Sequence, residues 1–232
     1  MATLTQSARN ASTLEFIRSS SYFAGLDNHV LERISGLMAE RKVDKHEIIW
    51  LEQEPAKMVY FTASGLIKLF KISAEGKEQI LRLVRPGECF GYPGMFNGGS
   101  NPESAQALVP SVLYGLRKSD LEALLREYEQ LALNTIKILA TETHHYMSLV
   151  EDLSLRRVSG RLAKMLLEHS SEEIDDASLI LTQANMAAMT GTVREVIGKS
   201  VKALEEKGAI RSNRRSIIIK DINALRIMAG LV

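Results

Sequence analysis

Arg194, Glu195, Gly198 and Lys199 fall within six consecutive positions near the start of the segment TVREVIGKSVKALEEKG, and their chemistry suits the reading of base edges in DNA. Arginine or lysine donates to O6 and N7 of guanine, glutamate accepts from the N4 amine of cytosine, and a glycine lets a helix lie close against a groove wall. The spacing predicts a helix over 192–207 with these four on one face. Val193, Val196, Ile197, Val201 and Leu204 recur at intervals of three and four and form the apolar face. Just upstream, Thr182 is placed to cap a short helix whose apolar side is Met186, Ala187 and Met189, and Thr190-Gly191 breaks it. Two such helices around a tight turn make a helix-turn-helix, with Thr182, Gln183 and Thr192 as further DNA contacts.

A solvated helical hairpin would show the same pattern by itself, so the segment that follows separates the two readings. Gly208 ends the second helix, 209–211 reads as a short strand, 212–215 as a turn, and 216–220 as a β-branched strand. This is a wing with Arg214 and Arg215 at its tip, where both would meet DNA phosphates. Between Ser178 and Val232 nine Lys and Arg stand against four Asp and Glu, a balance of +5 in a chain whose total is +1. A basic end on a near-neutral chain is the footprint of a module that binds a polyanion.

The elements that must carry this module are legible in order. With 232 residues, 45% of them hydrophobic, the chain is long enough for two domains. It has no run of about eighteen apolar residues and no charged-then-apolar leader, which predicts a cytoplasmic protein that does not engage the membrane. The single cysteine, Cys89, excludes an internal disulfide and a cysteine-held iron–sulfur cluster within one chain. Residues 1–12 are polar and without period, while 13–19 and 27–40 read as short helices. Asp27 caps the second, which has Val30, Leu31, Ile34, Leu37 and Met38 on one side. From Val43 to Leu116 the pattern changes to short β segments at 48–51, 58–62, 66–72, 79–84 and 112–116, an antiparallel barrel or jelly roll. Between the last two lies 90–105, with six Gly or Pro in sixteen residues. That stretch reads as a crossover whose glycines can also gather backbone N–H groups around a small anion.

After Ser119 the chain turns helical. Ile136, Leu139, Thr143, Tyr146, Val150 and Leu153 alternate at spacings of three and four, a coiled-coil seam that predicts a homodimer. A second stripe, Leu131, Ile138, His145 and Leu149, would face the barrel. Residues 156–168 open the C-terminal domain as an amphipathic helix with Val158, Leu162, Met165 and Leu166 inward, and 170–178 is an acidic polar loop. The reading is therefore an α+β chain in three parts: a β-roll over 1–125 that senses an effector, a dimerisation helix over 126–155, and a winged helix-turn-helix over 156–232.

In this order, and from about Glu15 to the end, the chain resembles the family of the cyclic AMP receptor protein and the fumarate and nitrate reduction regulator, the CRP/FNR family. The resemblance is carried by Gly76-Lys77-Glu78 with Ile80-Leu81, by Pro86-Gly87-Glu88-Cys89-Phe90-Gly91, by Val158-Ser159-Gly160-Arg161-Leu162-Ala163, and by Arg194-Glu195-Val196-Ile197-Gly198-Lys199. It implies an N-terminal antiparallel jelly-roll like those that bind cyclic nucleotides, a long dimerisation helix, and double-stranded DNA with palindromic, TGTGA-like half-sites as partner. It also implies RNA polymerase as a further partner and an activator as the output. Lys199 stands where an arginine is usual.

Cyclic-nucleotide-binding members carry a phosphate cassette after the Phe-Gly pair, Gly-Glu followed later by Arg-Ser. Here Gly91 precedes Tyr92 and Pro93, and Glu103 occupies the arginine position before Ser104, after one extra loop residue. Tyr146-Met147 stands where a Thr-Ser pair on the long helix meets the adenine. These departures imply an effector other than cyclic AMP, one that is neutral, cationic or aromatic, at Gly91, Tyr92, Pro93, Glu103, Ser104, Tyr146 and Met147. Two alternatives stay open: a haem-bearing sensor of nitric oxide or carbon monoxide with His46, His144 or His145 as axial ligand, and a vestigial cassette on a protein that binds DNA constitutively. A cupin-like metalloenzyme would need clustered His and Glu ligands. Of the five histidines only His46 is near a barrel strand, and the neighbours His144 and His145 point about 100° apart on a helix. No metal site and no catalytic constellation is read.

Overall fold

Between Ala39 and Arg117 short strands rich in β-branched and aromatic residues pair into two four-stranded sheets, ordered β1-β8-β3-β6 and β2-β7-β4-β5. The computed structural model describes residues 6–170, 182–213 and 217–231. The strands are β1 (Ala39–Val43), β2 (Ile48–Trp50), β3 (Met58–Ser64), β4 (Ile67–Ile72), β5 (Glu78–Val84), β6 (Cys89–Phe90), β7 (Ser104–Ala107) and β8 (Ser111–Arg117). The β1–β8 ladder runs in antiparallel register from Ala39↔Gly115 to Val43↔Ser111, and β3 pairs with the other edge of β8 from Met58↔Arg117. Side chains that alternate inward, among them Val43, Trp50, Tyr60, Ile67, Leu69, Phe90 and Leu113, fill the space between the sheets.

The outward face of the β1-β8-β3-β6 sheet is covered by helices. α1 (Gln6–Ser19), a 3-10 turn (Ser21–Phe23), α2 (Asn28–Leu37), α4 (Lys118–Glu127) and the first half of α5 (Glu129–Leu155) share a second core with Phe61, Cys89, Tyr92 and Tyr114. Short α3 (Tyr92–Phe96) lies between β6 and β7. α5 is tied to the 3-10 turn by Asn134 Nδ2, which donates to the carbonyls of Tyr22 at 2.8 Å and Ala24 at 2.9 Å, and by a 2.8 Å hydrogen bond between the Tyr22 and Thr135 hydroxyls.

The chain groups into two compact units, one of 1–70 with 82–144, the other of 71–81 with 145–232. In the second unit α6 (Val158–Ser170), α7 (Gln183–Thr190), α8 (Arg194–Glu206) and α9 (Ile222–Ala229) pack with the β9 (Ile210–Ser212) and β10 (Ile217–Ile219) pair. Their core is Leu162, Ala163, Met165, Leu166, Met186, Ala187, Ile197, Leu204, Ala209, Ile210, Leu225 and Ala229.

Several sequence expectations are corrected by tertiary contacts. α1 begins at Gln6 rather than Thr13, and Ile17 is fully buried in the first core. α2 stops at Leu37, because Ala39–Val43, a polar AERKV segment without a β pattern, is drawn into a strand by pairing with β8. Asp27 holds the N-cap position of α2 without a side-chain cap bond. The 90–105 crossover is not a plain loop, since it contains α3 and the start of β7. Val193 is exposed rather than part of the apolar face, and α8 starts after it. Helix α9, unread in the sequence, is capped by Asp221 Oδ1, which accepts from Asn223 N at 2.9 Å and Ala224 N at 3.0 Å. The acidic loop at 171–178 and the wing-tip Arg214 and Arg215 lie outside the described residues.

Candidate nucleic-acid interface

The turn between α7 and α8 is built from local chemistry. Thr182 Oγ1 accepts from Asn185 N at 3.1 Å, so the first turn of α7 is capped as the sequence predicts. Gly191 ends α7 at φ +67, a backbone conformation that suits glycine, and Thr192 N donates back to Ala187 O at 2.9 Å. From α6, Arg161 Nε donates to Thr190 O at 2.7 Å and its Nη1 to Arg156 O at 2.7 Å, fixing the turn against α6. Burial pulls the pKa of Arg161 below its ordinary value, with Asp152 opposing the shift. Asp152 also lies 2.7 Å from Arg156 Nε, an ion pair too bent to be a hydrogen bond, and accepts from Lys164 Nζ at 2.6 Å.

On α8, Ile197, Ser200 and Leu204 are buried while Arg194, Glu195 and Lys199 are exposed. Gly198 lies on the same side, and a Cβ built there meets nothing within 4 Å. The fold itself therefore does not require a glycine at 198, although glycine inside a helix costs about 1 kcal/mol relative to alanine. Thr182 and Gln183 are exposed and Thr192 is half-buried. The wing strands pair Ile217↔Ser212 to Ile219↔Ile210, and Glu205 Oε1 accepts from Ser212 N at 2.5 Å, holding β9 to the end of α8.

The residues assigned to an effector are placed differently. Tyr92 is 0% exposed and packs in the outer core, its ring 5.8 Å from that of Tyr22, so it is a core residue and not a pocket wall. Its hydroxyl lies near Cys89 and Tyr22, but neither contact has hydrogen-bond geometry, and burial pushes its pKa well above the ordinary value. Burial likewise raises the Cys89 thiol and the Tyr22 hydroxyl, each to about 12. Gly91 has φ +98, and a Cβ there would sit 2.9 Å from Met58 O and 3.2 Å from Trp50 Cη2, so its conformation serves packing. Pro93 occupies the first turn of α3. Glu103 is buried, with its carbonyl accepting from Trp50 Nε1 at 2.9 Å, and Ser104 Oγ accepts from Glu52 N at 2.9 Å. Between the sheets the Tyr60 ring stacks on Trp50 at 5.9 Å and on Phe90 at 5.8 Å, and Trp50 lies tilted against Phe90 at 5.1 Å. Tyr146 is half-buried and Met147 exposed on α5.

Of the residues assigned to a dimer seam, Ile136 and Val150 are 61% and 62% exposed, and Thr143 and Leu153 are exposed too. Leu139 instead packs partly against the outer core, and Thr143 Oγ1 donates to Leu139 O at 2.8 Å within the helix. Leu133 is a further exposed apolar residue on α5 that the heptad spacing missed. Of the histidines weighed as haem ligands, His46 sits in a turn at φ +69, His144 is exposed, and a His145 ring nitrogen lies 2.9 Å from Leu81 O. No group of three metal-ligating side chains occurs among the described residues, and no helix there is long and apolar enough to cross a membrane.

Residues 40–128 match the cyclic nucleotide-binding domain family and residues 160–228 the Crp-like helix-turn-helix domain family. The transcriptional regulator SdrP of Thermus thermophilus is 32% identical over 180 residues, covering 75% of this chain and 85% of that one. The cyclic AMP receptor protein of the same organism is 26% identical over 213 residues, with 92% and 98% covered. Among solved structures, a transcriptional regulator of the CRP/FNR family from Eubacterium rectale shares the fold with a TM-score of 0.76 at 21% identity, covering 91% of this chain and all of that one.

Proposed function

Because the chain belongs to the CRP/FNR family of transcription regulators and not to a family of enzymes, we propose that it acts as a homodimer that reads a two-fold symmetric DNA site with α8 and does not answer to cyclic AMP. The observation that carries the DNA reading is Gly198. It is a helix-interior glycine with open space where its side chain would be, on the face that exposes Arg194, Glu195 and Lys199. A residue that the fold does not need, at a cost to its own helix, makes sense where a groove wall must come close. Arg194 is assigned to a guanine and Glu195 to a cytosine of a TGTGA-like half-site. Lys199 offers a point charge rather than a planar fork and would relax one position.

The negative claim about cyclic AMP is supported by the β-roll. Its interior is occupied by Trp50, Tyr60 and Phe90, Tyr92 is committed to the outer core, and Glu103 places a carboxylate where the family's cassette has a guanidinium. Selection from random DNA tests the first part. A palindrome with half-sites about one helical turn apart is expected, with Arg194→Ala loosening one base at about 1 to 3 kcal/mol. A non-palindromic or AT-only consensus would overturn it. Calorimetry tests the second part, since micromolar binding of cyclic AMP or cyclic GMP to the wild type would refute it.

A further inference from the structure

Arg82 on β5 and Glu142 on α5 form an ion pair whose two side chains are only 11% and 10% exposed. Arg82 Nη1 donates to Glu142 Oε1, and Nη2 donates to Cys89 O at 2.8 Å, so the guanidinium bridges β5, β6 and α5. Burial works against the charge on Arg82, but Glu142 and then Glu88 more than offset it, and the guanidinium is held above its ordinary pKa. The pair Arg33–Glu127 of the same unit is by contrast about half exposed, where an ion pair contributes little.

A buried ion pair is a poor way to gain stability, because desolvating both charges can exceed their attraction, and apolar residues of similar volume often do as well or better. Its use is positional. The buried residues of α5 are Leu131, Asn134, Thr135 and Glu142, so Glu142 is the last buried side chain on this face, three residues before His145, whose exposed ring nitrogen lies 2.9 Å from Leu81 O of the same strand β5. Leu133 and Ile136 lie on the opposite side of the helix and are exposed. A charge pair with a single favourable geometry fixes rotation about the helix axis more sharply than apolar contacts, which tolerate sliding.

We propose that Arg82–Glu142 is a built-in latch, which holds α5 on the β-roll in one rotation without any bound effector and so presents the Ile136 side of the helix to a second copy of this chain. This rests on the homodimer reading given above, and the experiment separates the two. Glu142→Gln and Arg82→Met each break the pair, and Arg82→Met with Glu142→Leu replaces it by apolar volume. In full-length protein without ligand, the amides of residues 136–144 should exchange at least tenfold faster in each single variant, while those of β3 and β8 stay protected. Sedimentation should show self-association weakened at least tenfold. Should the single variants unfold, the double variant decides: a folded protein with fast α5 exchange and weaker self-association supports the latch. Wild-type exchange at α5 in the folded single variants, or a double variant indistinguishable from wild type in both measurements, overturns it. A wild type that is monomeric refutes the dimer reading, and the exchange comparison still tests the latch.

Discussion

Replacing Tyr92 by phenylalanine removes one oxygen from a fully buried aromatic of the outer core. If Tyr92 belonged to an effector pocket, the change would weaken ligand binding and leave stability alone; the structure leads to the opposite pattern. The Tyr92 side chain is fully buried and its hydroxyl has no partner with hydrogen-bond geometry, while the neighbouring Tyr22 hydroxyl is already engaged with Thr135 at 2.8 Å. A buried polar group left unpaired costs about 1 to 3 kcal/mol of desolvation. Against this stands the loss of dispersion contacts around a single oxygen, a few pairs at roughly 0.1 to 0.2 kcal/mol each. Tyr92→Phe is therefore expected to leave stability unchanged or raise it by about 1 kcal/mol. The single tryptophan, Trp50, lies between the sheets of the same unit, so its fluorescence reports that unit's urea unfolding. The midpoint should stay or move up with the slope constant. A loss of more than about 1 kcal/mol would mean that the hydroxyl makes a bond worth more than its desolvation, and would refute the reasoning.

Three further outcomes follow from particular contacts. The contribution of Cys89 and Tyr22 to stability should be constant up to about pH 9 and be lost from there to about 12, because burial raises Cys89 from 9.0 and Tyr22 from 10.0 to about 12. Both groups are neutral when protonated, and in that interval the unfolded chain releases protons that the folded one retains. Cys89→Ala should move the onset of this loss from about pH 9 toward 10, as read by unfolding midpoints across the range. Ile136→Asp with Val150→Asp should give folded monomers in sedimentation, since both residues are exposed in the single chain; an unchanged dimer would move the interface elsewhere. Leu139 is a worse choice for that test, because it also packs against the core. Thr182→Ala removes the bond from Asn185 N and should lower thermal stability of the second unit by about 0.5 to 2 kcal/mol, measured by calorimetry.

The helix-turn-helix was legible in the sequence because its cap, its turn and its apolar spacing are local. Thr182 accepts from a backbone amide three residues on, Gly191 supplies the left-handed φ, and the three-and-four spacing of Ile197, Val201 and Leu204 fixes which side of α8 faces inward. The same holds for the strands from Ile48 to Leu116 that carry a β-branched or aromatic pattern. Other features depend on partners far away in the chain. Ala39–Val43 becomes a strand only because β8, about seventy residues later, offers it an edge. Tyr92 occupies a cassette position in sequence, yet Tyr22 and Phe61 make the space that takes its ring, so its register in the motif did not determine its environment. The link between Arg82 and Glu142 spans sixty residues and has no periodicity by which either side chain announces the other. Local hydrogen bonds and helical spacing are written in consecutive residues, whereas burial is decided by which distant surfaces meet, and it is burial that turned Tyr92 from an expected pocket residue into core.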